Sequence, residues 1–148
     1  MSVYVRPATP EDFDLLLPMV EELQASEGIV RDGRLEESLR TLLASPDVGR
    51  AFIVVSDDET AGYAIVSYSY DLEYGGRDAF LSDFFVVPAH RGKGVGSAAF
   101  ALLESEARDR GLRALHLAVR NEDSRAMHLY EKAGYKRWPR TTLSKLFD

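Results

Sequence analysis

Cysteine is absent from the 148 residues of this chain. Disulfides, thiolate metal sites and cysteine nucleophiles are therefore excluded. An excess of positive charge is missing too: 18 Lys and Arg stand against 24 Asp and Glu, a net charge of −6. A nucleic-acid binder needs a basic face to displace counterions, so that class is set aside. A cationic small substrate suits the balance better, although net charge steers partners without naming them. No apolar run approaches the ~18 residues of a membrane span. The start, Met1-Ser2-Val3-Tyr4-Val5-Arg6, lacks the basic-then-apolar form of a secretory signal. Repeats, linkers and low-complexity tracts are missing as well. What remains is an ordinary globular composition, 45% apolar and 28% charged, in a length that suits one domain over 1–148. The expectation is a cytoplasmic protein with neither a nucleic-acid nor a membrane partner.

The apolar pattern divides into strands and helices. Residues 3–6 alternate as a short strand. Thr9-Pro10-Glu11-Asp12 gives an N-cap, a proline at the first helical position and acids in the first turn. Leu15, Leu16, Met19, Val20 and Leu23 then follow at helical spacing to about Ser26, with a kink or early break expected at Pro18. Residues 28–33 read as a loop. Leu35, Leu39, Leu42 and Leu43 mark a second helix, ended by Ser45-Pro46. Residues 51–56 and 61–70, joined by Asp57-Asp58-Glu59-Thr60, read as a hairpin, with Gly75-Gly76 turning into a strand over 80–87. A helix follows, with Glu104/Arg108 and Glu106/Arg110 spaced i,i+4 and Gly111 at its end. Residues 115–119 alternate as another strand. Asp123 or Ser124 caps a last helix that stops at Gly134, and 135–138 and 142–147 read as two closing strands.

Between the strand at 80–87 and the Ala/Leu-rich helix lies Arg91-Gly92-Lys93-Gly94-Val95-Gly96. Glycines crowded at a helix N-terminus leave free N–H groups and the positive end of the helix dipole with nothing bulky in front, an anion site and most naturally a phosphate site. Two common phosphate loops do not fit. No Gly-x4-Gly-Lys-Ser/Thr string exists, and counting Gly-x-Gly-x-x-Gly from Gly92 puts Ser97 where the third glycine belongs. The remaining pattern is Arg-x-x-Gly-x-Gly, short enough that a plain connecting turn stays an equal reading of the loop by itself.

A second motif accompanies it. Asp83-Phe84-Phe85-Val86-Val87-Pro88-Ala89-His90-Arg91-Gly92-Lys93-Gly94-Val95-Gly96, followed some 30 residues on by Ala126-x-x-x-Tyr130-Glu131-Lys132-x-Gly134-Tyr135, resembles the GNAT superfamily of acetyl-CoA-dependent N-acetyltransferases. The resemblance covers nearly the whole chain, from Arg6-Pro7-Ala8-Thr9 onward. It implies an α+β fold: a mixed, mostly antiparallel sheet of six to seven strands with a splayed central parallel pair, and about four helices. It implies acetyl-CoA as co-substrate, with no metal. By that likeness Arg91, Gly92, Lys93, Gly94, Val95, Gly96 and Ser97 give backbone N–H groups to the coenzyme pyrophosphate, and Phe84, Phe85 and Val86 pair with the pantetheine arm beside a bulge that splays the strand from 115–119. Tyr130 matches the tyrosine that protonates the departing thiolate; without its context it would read as a core aromatic.

The reaction sets its own needs. An alkylamine of pKa about 10.4 is almost wholly protonated near neutrality, so a base must help it attack. Asp83, just ahead of the coenzyme strand, is the candidate, with a structural carboxylate as the equal alternative. An N–H near Val86 would serve the developing oxyanion. His116 could face either layer, and His90 and His128 read as surface residues.

The run Tyr68-Ser69-Tyr70-Asp71 through Val86 looks most like diamine and polyamine acetyltransferases. That branch usually carries two acids before Phe-Phe-Val, and here the first is Ser82, which removes one carboxylate where an amine would be held. Asp123 stands where the family commonly has asparagine. A carboxylate there suits a helix cap better than a polyanionic coenzyme, which leaves Asn121 as the candidate coenzyme contact. Tyr68, Tyr70, Ser82 and Asp83 are the candidate acceptor residues, the tyrosines as a face for a cation. The expected activity is acetyl transfer to a primary amine of a small molecule such as a polyamine, amino acid or amino sugar. The alternatives are a protein lysine or N-terminal acetyltransferase, disfavoured by His116-Leu117-Ala118 where N-terminal acetyltransferases tend to place a glutamate, and a non-catalytic CoA-binding domain. The likeness also admits a homodimer.

Overall fold

The computed structural model describes residues 1–29 and 33–147. The chain divides into two compact units, Met1–Leu117 and Ala118–Asp148. In the first, the alternating segments form a five-stranded sheet in the order β1-β2-β3-β4-β5. β1 (Val3–Pro7), β2 (Gly49–Ser56), β3 (Glu59–Asp71) and β4 (Gly76–Val86) pair antiparallel in succession. β5 (Leu115–His116) runs parallel to β4. The β2–β3 hairpin closes through Asp57 and Asp58, both at positive φ (50° and 64°), the geometry of a two-residue turn that follows strand twist. Asp57 Oδ1 accepts from the Ser2 amide at 2.8 Å, which ties the start of the chain to that turn.

Two helical layers cover the sheet. On one face α1 (Phe13–Ser26) and α2 (Leu35–Leu43) pack Phe13, Leu16, Met19, Val20 and Leu39 against Ala51, Ile53, Val55, Tyr63, Ile65 and Phe85. On the other, α3 (Val95–Asp109) brings Val95 and Ala99 onto Val54 and Ala61, flanked by Val3, Val5, Phe84 and Val86. α1 starts behind a capping turn in which Thr9 N donates to Asp12 Oδ2 at 2.8 Å while Arg6 holds both carboxylate oxygens. The break expected at Pro18 does not occur, and the helix runs through it. The missing N–H costs one backbone bond, and the buried neighbours Leu16, Met19 and Val20 hold the helix across the gap. The loop expected over 28–33 falls in part on residues 30–32, outside the described residues.

In the second unit Asp123 Oδ1 accepts from Ala126 N at 3.1 Å and starts α4 (Ser124–Lys132). Gly134, at φ 101°, ends it. The closing strands expected at 135–138 and 142–147 are not strands. Leu143, Leu146 and Phe147 stay 90%, 92% and 84% exposed, and alternation alone does not make a strand. Among the described residues the sheet has five strands, slightly fewer than the six to seven expected, with β4 and β5 as a parallel pair at the end of the strand order, and the mixed α+β architecture stands.

At Gly62 of β3 an added Cβ would clash with the Phe85 carbonyl oxygen of β4. We expect Gly62→Ala to lower stability by about 1–3 kcal/mol, the usual range for overpacking, measured as a fall in the urea midpoint; an unchanged midpoint would show that β4 can yield.

Candidate functional site

The strand leaves β4 through a single turn, Pro88–His90, and reaches α3 by way of Gly92 and Gly94, at φ 75° and 83°. Side chains rarely adopt that conformation. A Cβ on Gly92 would meet nothing within 4 Å, and one on Gly94 only Met1 Cε at 3.8 Å, so conformation requires these glycines and the space before them is open. The first backbone bond of α3 runs from Ala98 N to Gly94 O, 3.1 Å. The amides of Val95, Gly96 and Ser97 precede it and have no acceptor within the helix. Lys93 is exposed in the loop. Arg91 is committed elsewhere: its Nε donates to Val86 O at 2.7 Å, and its guanidinium lies 5.3 Å from the Phe85 ring centre.

β4 is paired differently along its two halves. β5 pairs with it opposite Ala79 and Phe80, and the strand read as 115–119 is short. From Asp83 to Val86 the sheet gives β4 one neighbour among the described residues, β3. Val87 N bonds Ala61 O at 2.8 Å. By alternation Val86 turns its N–H and C=O to the other side, and that is where Arg91 reaches the carbonyl. An N–H on the unpaired edge is therefore available beside the glycine loop.

A bulge sets the side chains. Ile65 pairs with Asp83 and Val66 with Leu81, so Ser82 is the extra residue and alternation restarts after it. Without it, Asp83 would fall on the face of Ala79 and Leu81. With it, Asp83 joins Tyr63 and Phe85 on the α1/α2 face, and Phe84 and Val86 turn toward α3. Asp83 is half-buried and accepts from the Tyr63 hydroxyl at 2.7 Å. Burial pushes its carboxyl above the ordinary carboxylate range, partly offset by that hydrogen bond. Tyr63 is fully buried, and burial, with the charges of Asp83 and Glu27, raises its phenol well above normal. Nothing in the sequence singled out Tyr63, which reads as one more apolar residue of a core strand.

The four candidate acceptor residues do not form one pocket. Ser82 is exposed on the bulge, its Oγ 3.3 Å from Ser67 Oγ and from Ile65 O. Tyr68 faces the opposite layer, lining a crevice with Leu103 and Glu106 of α3 and with Arg110 just past its end, and its hydroxyl is buried without a hydrogen-bond partner among the described residues. Tyr70, two residues on and 72% exposed, points to that same side. Strand alternation therefore puts the two tyrosines on the face opposite Asp83. Instead the Asp83 face continues through Phe80, 41% exposed, to Asp78. Asp78, 3% exposed, accepts from Ser69 Oγ at 2.9 Å and lies 2.8 Å from His116 Nε2. That carboxylate and His116, whose ring meets Tyr74 at 5.0 Å, make a partly buried polar cluster with no local signature in the sequence.

In the second unit Tyr130 is half-buried, and burial with the nearby charge of Asp123 raises its phenol. Its ring meets Tyr135 edge-on at 6.0 Å. Asp123 is the helix cap, as read, and Asn121 is exposed in the turn before it. Among the described residues no group of three or more His, Asp or Glu is arranged to hold a metal, and no helix is long and apolar enough to cross a membrane.

The profile of the acetyltransferase (GNAT) family matches residues 17–135. The chain is 30% identical to thialysine N-epsilon-acetyltransferase of Bos taurus, with 89% of this chain and 83% of the relative covered. It is also 30% identical to aminoglycoside N(6')-acetyltransferase type 1 of Stenotrophomonas maltophilia, over 78% of this chain and 76% of that protein. Among solved structures, an integron cassette protein from the mobile metagenome of Cole Harbour Salt Marsh matches with a TM-score of 0.81 at 30% identity, covering 97% of this chain and 90% of that one.

A carboxyl whose proton affinity is higher folded than unfolded lends stability that is fully present below its unfolded pKa and lost as pH rises through the folded one. Asp83→Asn is therefore expected to raise the melting temperature at neutral pH and to lose that advantage in acid. A destabilised variant at neutral pH would show that the ionised carboxylate is held more favourably than its burial implies.

Proposed function

This chain belongs to the GNAT family of acetyltransferases and is an N-acetyltransferase, and we propose that it carries acetyl from acetyl-CoA to a primary amine of a small molecule by direct attack. The observation that carries the reading is Asp83, a half-buried carboxyl with raised proton affinity, on the strand whose far edge is unpaired and which leads into the open glycine loop. A general base works best when its pKa approaches the working pH, and burial moves Asp83 in that direction. The names of the relatives, one acting on thialysine and one on aminoglycosides, support a small amine as acceptor, within the wider class of polyamines, amino acids and amino sugars. The proposal includes a cytoplasmic location and a homodimer compatible with the family.

The residues take the following parts. The pyrophosphate of CoA lies against the amides of Val95, Gly96 and Ser97, favoured by the α3 dipole and by Lys93, with Arg91 bracing the loop on Val86 O and Asn121 as a further contact. The pantetheine arm runs along the unpaired edge of Phe84, Phe85 and Val86. The acceptor's ammonium gives one proton to Asp83, directly or through a water. Its nitrogen then bonds the thioester carbon, and the carbonyl oxygen gains charge toward the Val86 N–H. As the intermediate collapses the C–S bond breaks, and the thiolate takes a proton from the Tyr130 phenol, which recovers one from the acetylated nitrogen through solvent. Asp83 returns its proton to water. A phenol is protonated at neutral pH, and burial of Tyr130 raises its proton affinity further.

Free-thiol release with acetyl-CoA against a panel of lysine analogues, polyamines, aminoglycosides and lysine peptides is expected to give turnover with at least one small amine; turnover with peptides alone would overturn the reading. Tyr130→Phe is expected to lower kcat about 100-fold, the usual worth of one positioned acid, and an unchanged rate at both low and high pH would remove Tyr130 from the mechanism.

A further inference from the structure

Tyr63 is 0% exposed, on β3 amid the residues of α1, α2 and β2, with its ring 6.0 Å from that of Phe85. A buried phenol must place its proton on an acceptor, and this one gives it to Asp83 Oδ2 at 2.7 Å. The two residues are diagonal neighbours across the β3–β4 ladder, since Tyr63 pairs with Phe85 and Ile65 with Asp83, and the bulge at Ser82 is what brings them to one face. Among the described residues the charges that act on this phenol keep it a donor. Glu27, just past α1, opposes its ionisation. Arg91, from the loop after β4, lies over the Phe85 ring and bonds Val86 O. On the same face of the sheet, His116 of β5 is engaged with Asp78.

We propose that Tyr63 is the positioning residue for the base, holding Asp83 Oδ2 so that Oδ1 is the oxygen that receives the acceptor's proton. The proposal rests on the reading of Asp83 as base. The phenol restricts rotation of the carboxyl in a site where no second side-chain donor to it is seen among the described residues. It also stabilises the ionised form against burial, which keeps the base usable near neutral pH. A residue that only filled the core would do neither.

The test compares kcat/KM across acid and neutral pH for the wild type, Tyr63→Phe and Asp83→Asn, with an amine turned over in the thiol-release panel, alongside a 13C NMR titration of the Asp83 carboxyl assigned by difference with Asp83→Asn. In Tyr63→Phe the acidic limb and the carboxyl titration are both expected to move to higher pH, giving about tenfold slower turnover on the acidic side, from the loss of one hydrogen bond to a charged group, and much less change on the alkaline plateau. A uniform loss at all pH values, or an unmoved titration, would make Tyr63 a core residue only. If Asp83→Asn keeps the acidic limb, the base assignment falls while the titration still decides whether Tyr63 governs the carboxyl. Should Tyr63→Phe fail to fold, 3-fluorotyrosine at position 63 supplies a more acidic, stronger donor. It is expected to shift limb and titration to lower pH, and an unmoved pair overturns the proposal.

Discussion

Backbone N–H and C=O groups have to be paired or wetted, and β4 meets that demand in two ways along its length. Its first part lies between β3 and β5; its last residues have β3 alone. The open edge that results is continuous with the glycine turn, because Arg91 fastens the loop to the Val86 carbonyl on that side. Loop, free amides and unpaired strand are thus one assembly with a common cause, the early end of the parallel pairing. The bulge at Ser82 completes it by choosing which side chains flank that edge.

Two buried carboxylates on one strand show how environment separates structure from chemistry. Asp78 is nearly inaccessible and has both Ser69 and His116 as partners; a group so satisfied has little to gain from a ligand. Asp83 is less buried, has one phenol as its side-chain partner among the described residues, and carries a raised proton affinity. Partial satisfaction is what lets a carboxyl exchange a proton with something else.

Much of this was legible from the residues. The glycine turn, the Asp123 cap, the hairpin at Asp57-Asp58 and the amphipathic helices each have local signatures, because each is decided within a few residues. The face on which Asp83 lies is not local. Plain alternation assigns it to the α3 side, and a bulge adds one ordinary residue without any mark of composition. The same blindness left unread that Tyr68 and Tyr70 face away from Asp83, and hid Tyr63 within a run of apolar neighbours. The tail failed for a related reason: Leu143, Leu146 and Phe147 alternate well enough, but strand pairing is non-local and no window of sequence reports on it.

The sheet also acts as a partition, and this bears on how such a protein changes over generations. On the proposed reading, the residues that would grip the coenzyme feed into α3 and its side of the sheet, whereas Asp83, Tyr63 and Phe80 look toward the layer of α1 and α2. Substitutions in those two helices can reshape what is accepted while the nucleotide grip is inherited intact. Ser82, the point at which one strand changes its allegiance from one side to the other, is where the two inheritances are joined.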